Sequence, residues 1–175
     1  CFVYHFPENM AGTVELSVEG KAGIVLRLKH GEMLNEDGTV NLANIDYHYH
    51  PTDDSDPFQT DIVILRDGET RFTPKFNYKG FQYVEVTSSE PIALDENSIV
   101  AFKMHSDVPE IGRFRSSSDL LNKIWTATNN SYLDNLFGYP TDCPQREKNG
   151  WTGDAHIAIE TALYNFDANT VYEKW

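Results

Sequence analysis

The spacing of apolar side chains changes near residue 110, and this change limits the possible folds more than any other feature of the sequence. Segment 13–19 alternates polar and apolar residues with period two, which is typical of a half-buried β-strand. Between Leu120 and Leu136, apolar residues recur at intervals of three and four, which predicts an amphipathic helix of about 18 residues. The chain is therefore expected to have a β-rich first part and a helical second part.

The first part, residues 1–110, contains several segments with the composition of short strands. Turn residues separate them, including Asp37-Gly38, Asp67-Gly68 and Lys79-Gly80. Short strands with regular turn signals favour an antiparallel β-sandwich. The predicted strands cover residues 13–19, 24–29, 61–66, 71–78, 81–87 and 99–105.

The second part, residues 111–175, contains two predicted helices and the start of a third at 171–175. Serines at 116–118 are candidate N-caps for the first helix, and Asp154 is a candidate N-cap for the second. Two helices and a short third one cannot cover their own apolar faces. The chain is therefore expected to be a fragment of a longer protein.

Charge and cysteine content exclude some classes of partner and site. Acidic side chains number 27 and basic ones 14, which gives a net charge of −13 at pH 7. Such a surface repels phosphate backbones and anionic lipids, so neither nucleic acid nor a membrane is an expected partner. Two cysteines, Cys1 and Cys143, are too few for a disulfide framework or a four-cysteine zinc site.

Residues 138–153, between the two predicted helices, form a long loop, and such loops are usually functional. The loop and its end carry three carboxylates, an arginine and an indole: Asp142, Glu147, Asp154, Arg146 and Trp151. Glycoside hydrolysis needs two carboxyl groups, together with groups that hold sugar hydroxyls and a flat ring on which a sugar packs. Three acids at this spacing also fit helix caps and ion pairs, so both interpretations stay open at this point.

Other motifs are weaker. His48 and His50 lie on one face of an extended segment, but without a third ligand an exposed strand or loop explains them better than zinc. The acids of segment 53–56 lack the spacing of a calcium loop. The sequon at Asn129 falls in a predicted helix. Neither a metal nor a cofactor is therefore expected.

The loop sequence DCPQREKNGWTGDA at 142–155 closely resembles the signature of the bacterial α-L-rhamnosidases of glycoside hydrolase family 78. The resemblance extends over almost the whole chain in the order found in the family. The blocks that carry it are residues 9–12, 31–39, 72–86 and 117–122.

This resemblance implies a β-sandwich followed by the first helical hairpin of an (α/α)6 barrel, and an inverting mechanism. It implies that Glu147 is the general acid, that Asp142 and Asp154 hold rhamnose hydroxyls, and that Trp151 lines the sugar pocket. Arg146 matches a basic position of the motif. We group it with the expected substrate-binding residues, and its individual role stays open. The family's general base lies beyond Trp175, so this chain alone is expected to be inactive.

The implied partners are rhamnose-containing glycans or glycosides and the remainder of the parent chain, in the periplasm or the cytoplasm of a bacterium. Two alternatives remain open. One is another six-hairpin glycosidase that acts on a different sugar. The other is a β-sandwich that serves as a carbohydrate-binding or structural module, with the helical part merely attached to it.

Overall fold

The computed structural model describes residues 1–46, without the side chain of Asp46, and residues 58–175. They form two compact units, Cys1–Met104 and His105–Trp175. The first unit contains β1 Phe2–Gly20, β2 Val25–Gly31, β3 Met33–Leu34, β4 Val40–Asn41, α1 Ala43–Asp46, β5 Thr60–Ile64, β6 Gly68–Phe72, β7 Lys79–Ser88 and β8 Ile99–Lys103. The second contains α2 Asp119–Asp134, α3 Thr152–Asn165 and α4 Asn169–Lys174.

The first unit is built on a six-stranded antiparallel sheet with the order β5-β2-β7-β1-β6, in which β8 also pairs with β1. Strand β1 is 19 residues long and pairs with three partners. Its first half pairs with β7, from Phe2 opposite Val86 to Gly12 opposite Lys79, with an irregularity in register between His5 and Met10. Its second half pairs with β6 and β8.

The period-two pattern predicted for segment 13–19 is present in β1. Val14, Leu16 and Val18 are buried, whereas the intervening Glu15 and Ser17 are partly exposed. Alternate residues of a strand point to opposite faces, so one face of β1 enters the core. That core also holds Leu26, Leu28, Phe81, Val84 and Val86 from β2 and β7.

Two local predictions in this unit are wrong. The strand predicted at 71–78 is present only as far as Phe72, the last residue of β6 (Gly68–Phe72). Phe76, inside the predicted strand, is fully exposed. Lys79 and Gly80, predicted as a turn, instead begin β7 and pair with Gly12 and Ala11. The predicted turn at Asp37-Gly38 is confirmed between β3 and β4, where Gly38 has φ 83°.

A polar cluster of Asp61, Lys79 and His30 lies inside the first unit. Lys79 Nζ donates to Asp61 Oδ1 at 2.7 Å and to Asn77 Oδ1 at 2.9 Å. His30 is fully buried; its Nδ1 lies 3.1 Å from the carbonyl oxygen of Gln59, and its Nε2 lies 4.0 Å from Asp61 Oδ2. A carbonyl oxygen accepts hydrogen bonds, so the proton of the neutral ring belongs on Nδ1.

We expect this buried histidine to make the first unit less stable in acid. Burial lowers the pKa of His30 to about 4. The charge of Lys79 also lowers this pKa, whereas the charge of Asp61 raises it. Because the folded pKa is below that of the unfolded chain, protonation favours unfolding. Stability is therefore fully present above about pH 6.5 and falls by up to about 3 kcal/mol as the pH drops to about 4.

The measurement is urea unfolding of the whole chain across this pH range, compared with His30→Gln, whose side chain does not titrate. The slope of stability against pH should flatten in the variant. Equal slopes in the two proteins would contradict the assignment.

The second unit contains α2 and α3, joined by the long loop. Tyr132 stacks on Phe166 with ring centroids 5.4 Å apart, and Leu136 and Ala162 are buried beside them. The helix α2 has 16 residues, which agrees with the predicted helix in position and is slightly shorter. None of the helices in residues 1–46 and 58–175 is both long and apolar enough to span a bilayer.

Several apolar residues of α2 and α3 are exposed in this chain. Leu120 is 66% exposed and Ile124 is 52% exposed on α2, and Ile157 is 82% exposed on α3.

The segment before α2 is tightly packed at Gly112. Gly112 donates its N–H to Asn165 O at 3.0 Å, and a Cβ at Gly112 would lie 2.3 Å from Tyr164 O. This close approach of two backbones requires glycine.

Candidate active site

The loop between α2 and α3 is anchored at its beginning to the end of α2. Thr141 donates its backbone N–H to Asn135 O at 2.7 Å and its hydroxyl to the same oxygen at 3.1 Å. Gly138 has φ 80°, which lets the chain reverse direction there. Asp142 therefore follows directly after a fixed turn at the end of α2.

Asp142 and Asn149 close the central part of the loop. The backbone N–H of Asp142 donates to Asn149 O at 2.9 Å, and the N–H of Asn149 donates to Asp142 Oδ1 at 2.8 Å. These two hydrogen bonds close residues 142–149 into a ring. Lys148, inside this ring, has φ 56°, a left-handed conformation that costs a non-glycine residue about 1 kcal/mol or more.

Glu147 lies at the centre of the candidate site, with its carboxylate held from two sides. Arg146 Nη2 donates to Glu147 Oε1 at 3.0 Å, and Trp151 Nε1 donates to Glu147 Oε2 at 3.0 Å. The Glu147 side chain is 35% exposed and the Arg146 side chain 29% exposed. The structure thus brings together three of the five predicted site residues, and the contacts leave the carboxylate accessible from solution.

The sequence predicts Asp154 as the N-cap of the second helix, and this prediction is wrong. Helix α3 begins at Thr152, its N-cap is Trp151, and Asp154 lies in the first helical turn. A carboxylate there is favoured by the partial positive charge of the helix N-terminus. In the first helix, Ser118 occupies the predicted N-cap position, but the described residues show no hydrogen bond from its side chain to the helix.

A groove of about 580 Å³ between α2 and α3 contains Asp142 and Asp154 in its lining. Its size is within the range of small-molecule sites. Glu147, Arg146 and Trp151 are outside the described lining. Apolar and hydroxyl side chains complete the wall, among them Ile124, Thr128, Tyr132, Ile157 and Thr161.

Sequence reasoning did not assign a role to Cys143, which the structure places between two of the predicted residues. Its Sγ donates to Asp142 Oδ2 at 3.0 Å and accepts from the backbone N–H of Glu147 at 3.2 Å. Burial raises the pKa of the Cys143 thiol, and the hydrogen bond to Asp142 adds to this effect. The position of the cysteine in the loop signature was the available signal, but hydrogen-bond partners cannot be read from sequence.

Among residues 1–46 and 58–175, no group of three histidine, cysteine, aspartate or glutamate residues is arranged to hold a metal ion. The weak metal motifs at His48 and His50 and at 53–56 lie outside the described residues. The sequon residue Asn129 is buried in α2.

Comparison with known proteins matches both units to one family. Residues 1–105 match the bacterial alpha-L-rhamnosidase concanavalin-like domain, and residues 109–175 match the bacterial alpha-L-rhamnosidase 6 hairpin glycosidase domain. An alpha-L-rhamnosidase of Streptomyces avermitilis is 35% identical over 99% of this chain and 16% of its own length.

Solved structures agree with this match. An alpha-L-rhamnosidase from Dictyoglumus thermophilum superposes with a TM-score of 0.87 and is 34% identical over 99% of this chain and 19% of its own. The Streptomyces avermitilis alpha-L-rhamnosidase complexed with L-rhamnose superposes with a TM-score of 0.84 at 35% identity, over 99% of this chain and 16% of its own.

A carboxylate beside an indole, in a loop between two helices that follow a β-domain, is a feature suited to a glycosidase. The chain belongs to the bacterial α-L-rhamnosidase family, glycoside hydrolase family 78. The predicted fold, a β-sandwich followed by the start of a six-hairpin domain, is thereby confirmed. The chain spans 16% to 19% of the length of the three relatives described above.

Proposed function

We propose that this chain is part of an enzyme that hydrolyses terminal α-L-rhamnosyl linkages with inversion, and that Glu147 is its general acid. The observation that carries the proposal is the Glu147 carboxylate, held 3.0 Å from both Arg146 Nη2 and Trp151 Nε1 in the signature loop. The L-rhamnose complex of the Streptomyces avermitilis relative supports rhamnose as the sugar.

In this proposal, Asp142 and Asp154 accept hydrogen bonds from rhamnose hydroxyls in the groove that both residues line. Asp142 already accepts one bond at each oxygen, from Asn149 N–H and from Cys143 Sγ. An ionised carboxylate has about four acceptor positions, so capacity for sugar hydroxyls remains. Trp151 is 54% exposed, which leaves a surface on which a sugar ring can pack.

Glu147 protonates the leaving oxygen, and Arg146 and Trp151 fix the direction of its carboxyl group. Inversion also needs a base about 6.5–9.5 Å from the acid, with a water between them. We propose that residues outside this chain supply the base, so that the chain alone does not turn over substrate.

We also propose that further hairpins of the parent protein cover exposed residues such as Leu120 and Ile157. The domain assignment 1–110 and 111–175 stays a prediction.

The test is hydrolysis of a panel of aryl glycosides by the full-length protein. We expect turnover of the α-L-rhamnoside and of no other sugar, with β-L-rhamnose as the first product seen by proton NMR, because inversion changes the anomeric configuration. Turnover of a different sugar would instead indicate another six-hairpin glycosidase. Absence of turnover, with saturable binding of rhamnose oligosaccharides by residues 1–110 alone, would indicate a binding module.

A further inference from the structure

The signature loop contains a thiol that joins two parts of the candidate site. Cys143 lies inside the ring that Asp142 and Asn149 close. Its Sγ donates to Asp142 Oδ2 at 3.0 Å and accepts from the Glu147 N–H at 3.2 Å. One side chain therefore contacts both the carboxylate of a proposed sugar-binding residue and the backbone of the proposed general acid.

The thiol is suited to this double contact because it stays protonated. Burial and the neighbouring Asp142 carboxylate both raise the pKa of Cys143, so its proton remains available for donation near neutral pH. A raised pKa also argues against a nucleophilic role, because the thiolate is the reactive form. The sulfur lone pairs remain free to accept the Glu147 N–H.

The contact at Glu147 fixes its backbone, whereas Arg146 and Trp151 contact its carboxylate. A carboxyl group that donates a proton must lie within hydrogen-bond reach of the leaving oxygen. Because Lys148, the next residue, has φ 56°, this stretch of backbone needs tertiary contacts to hold its conformation. The bond to Cys143 is such a contact.

We propose that Cys143 is a positioning residue, which sets the place of the Glu147 carboxyl group relative to Asp142 in the sugar site. This inference rests on the proposed function. It assigns to the thiol a role in proton donation that acts through Glu147, without contact to the substrate.

The experiment compares Cys143→Ala and Cys143→Ser in the full-length enzyme on two substrates. One is an alkyl α-L-rhamnoside, whose poor leaving group needs protonation, and the other is the 2,4-dinitrophenyl α-L-rhamnoside, whose leaving group does not. Alanine removes both hydrogen bonds, whereas serine keeps a donor and an acceptor. A hydrogen bond contributes about 1 kcal/mol, so the alanine variant should lose about five- to tenfold in kcat/KM on the alkyl substrate relative to the activated one. The serine variant should keep the wild-type ratio within about twofold.

A role in folding alone would lower both rates together and leave their ratio unchanged, which would overturn the inference. An alanine variant with wild-type kinetics would overturn it too. If the alanine variant does not fold, Cys143→Val fills the space without a hydrogen bond, and the same ratio applies. If the wild-type enzyme cleaves no α-L-rhamnoside, the proposed function itself fails. If Glu147→Gln changes the substrate ratio and the Cys143 variants do not, this inference alone fails.

Discussion

Glu147→Gln in the full-length protein is expected to lower kcat/KM for alkyl α-L-rhamnosides by about 10²–10⁴-fold. Glutamine has the size of glutamate but carries no proton that it can give to the leaving oxygen. Its amide nitrogen also cannot accept a hydrogen bond, so the contact with either Arg146 Nη2 or Trp151 Nε1 is lost. Substrates with activated leaving groups should lose much less, because their departure needs little protonation.

Kinetics on both substrate classes test this prediction, together with inhibition by free L-rhamnose. The inhibition constant should change little, because Asp142 and Asp154 keep their positions in the groove. Glu36→Gln is the matched control, since Glu36 is exposed in the turn between β3 and β4. Wild-type rates on alkyl substrates in Glu147→Gln would remove Glu147 from the role of general acid.

Asp61→Asn is expected to destabilise the first unit by about 3–5 kcal/mol, the usual cost of leaving a buried charge without its partner. Asparagine fits the same space but lacks the charge that faces Lys79 Nζ at 2.7 Å. The side chains of Lys79 and Asp61 are almost fully buried, at 6% and 7% exposure. Water therefore cannot solvate the ammonium group in place of the lost carboxylate. Burial already lowers the pKa of Lys79, against the attraction of Asp61.

Urea unfolding of the whole chain measures this effect. Without Asp61, the buried ammonium group should deprotonate more readily, so the variant should regain stability as the pH rises. Lys79→Met in the Asp61→Asn background should restore most of the loss, because the unpaired charge is then removed. Glu69→Gln is the control, since it alters the exposed pair with Arg71, and no resolvable change is expected there. A small loss in Asp61→Asn, similar to that of the control, would show that the pair contributes little.

These two predictions concern residues that the sequence treats very differently. Glu147 stands in a signature loop that contains tryptophan, proline and glycine, and the resemblance of this loop to the family implies the role of general acid. Lys79 was predicted to lie in a turn, because lysine and glycine together are typical of exposed positions. The structure instead places Lys79 in β7, paired with Asp61 across 18 residues. Nothing local in the sequence indicates such a pairing.

Periodicity predicted the segment 13–19 of β1 well, because burial of one face imposes a repeat on the chain. It also predicted α2, although Leu120 and Ile124 of its apolar stripe are exposed in this chain. The strand predicted at 71–78 does not extend past Phe72, and Phe76 is fully exposed. The N-cap prediction for Asp154 failed because α3 begins at Thr152, with Trp151 as its N-cap, three residues before the predicted cap. Helix ends depend on single hydrogen bonds, which periodicity does not describe.

The arrangement of β1 has a consequence for synthesis on the ribosome. All three partners of β1 lie between Gly68 and Lys103, so this strand is synthesised before any of them exists. At about 5–20 residues per second, the delay from Gly20 to Lys103 is roughly 4–17 s. Partners become available in turn: β6 for Leu16–Gly20, β7 for Phe2–Gly12 and finally β8 for Gly12–Leu16. Until then the unpaired parts of β1 are open to intermolecular association, which a chaperone bound to the nascent chain would prevent.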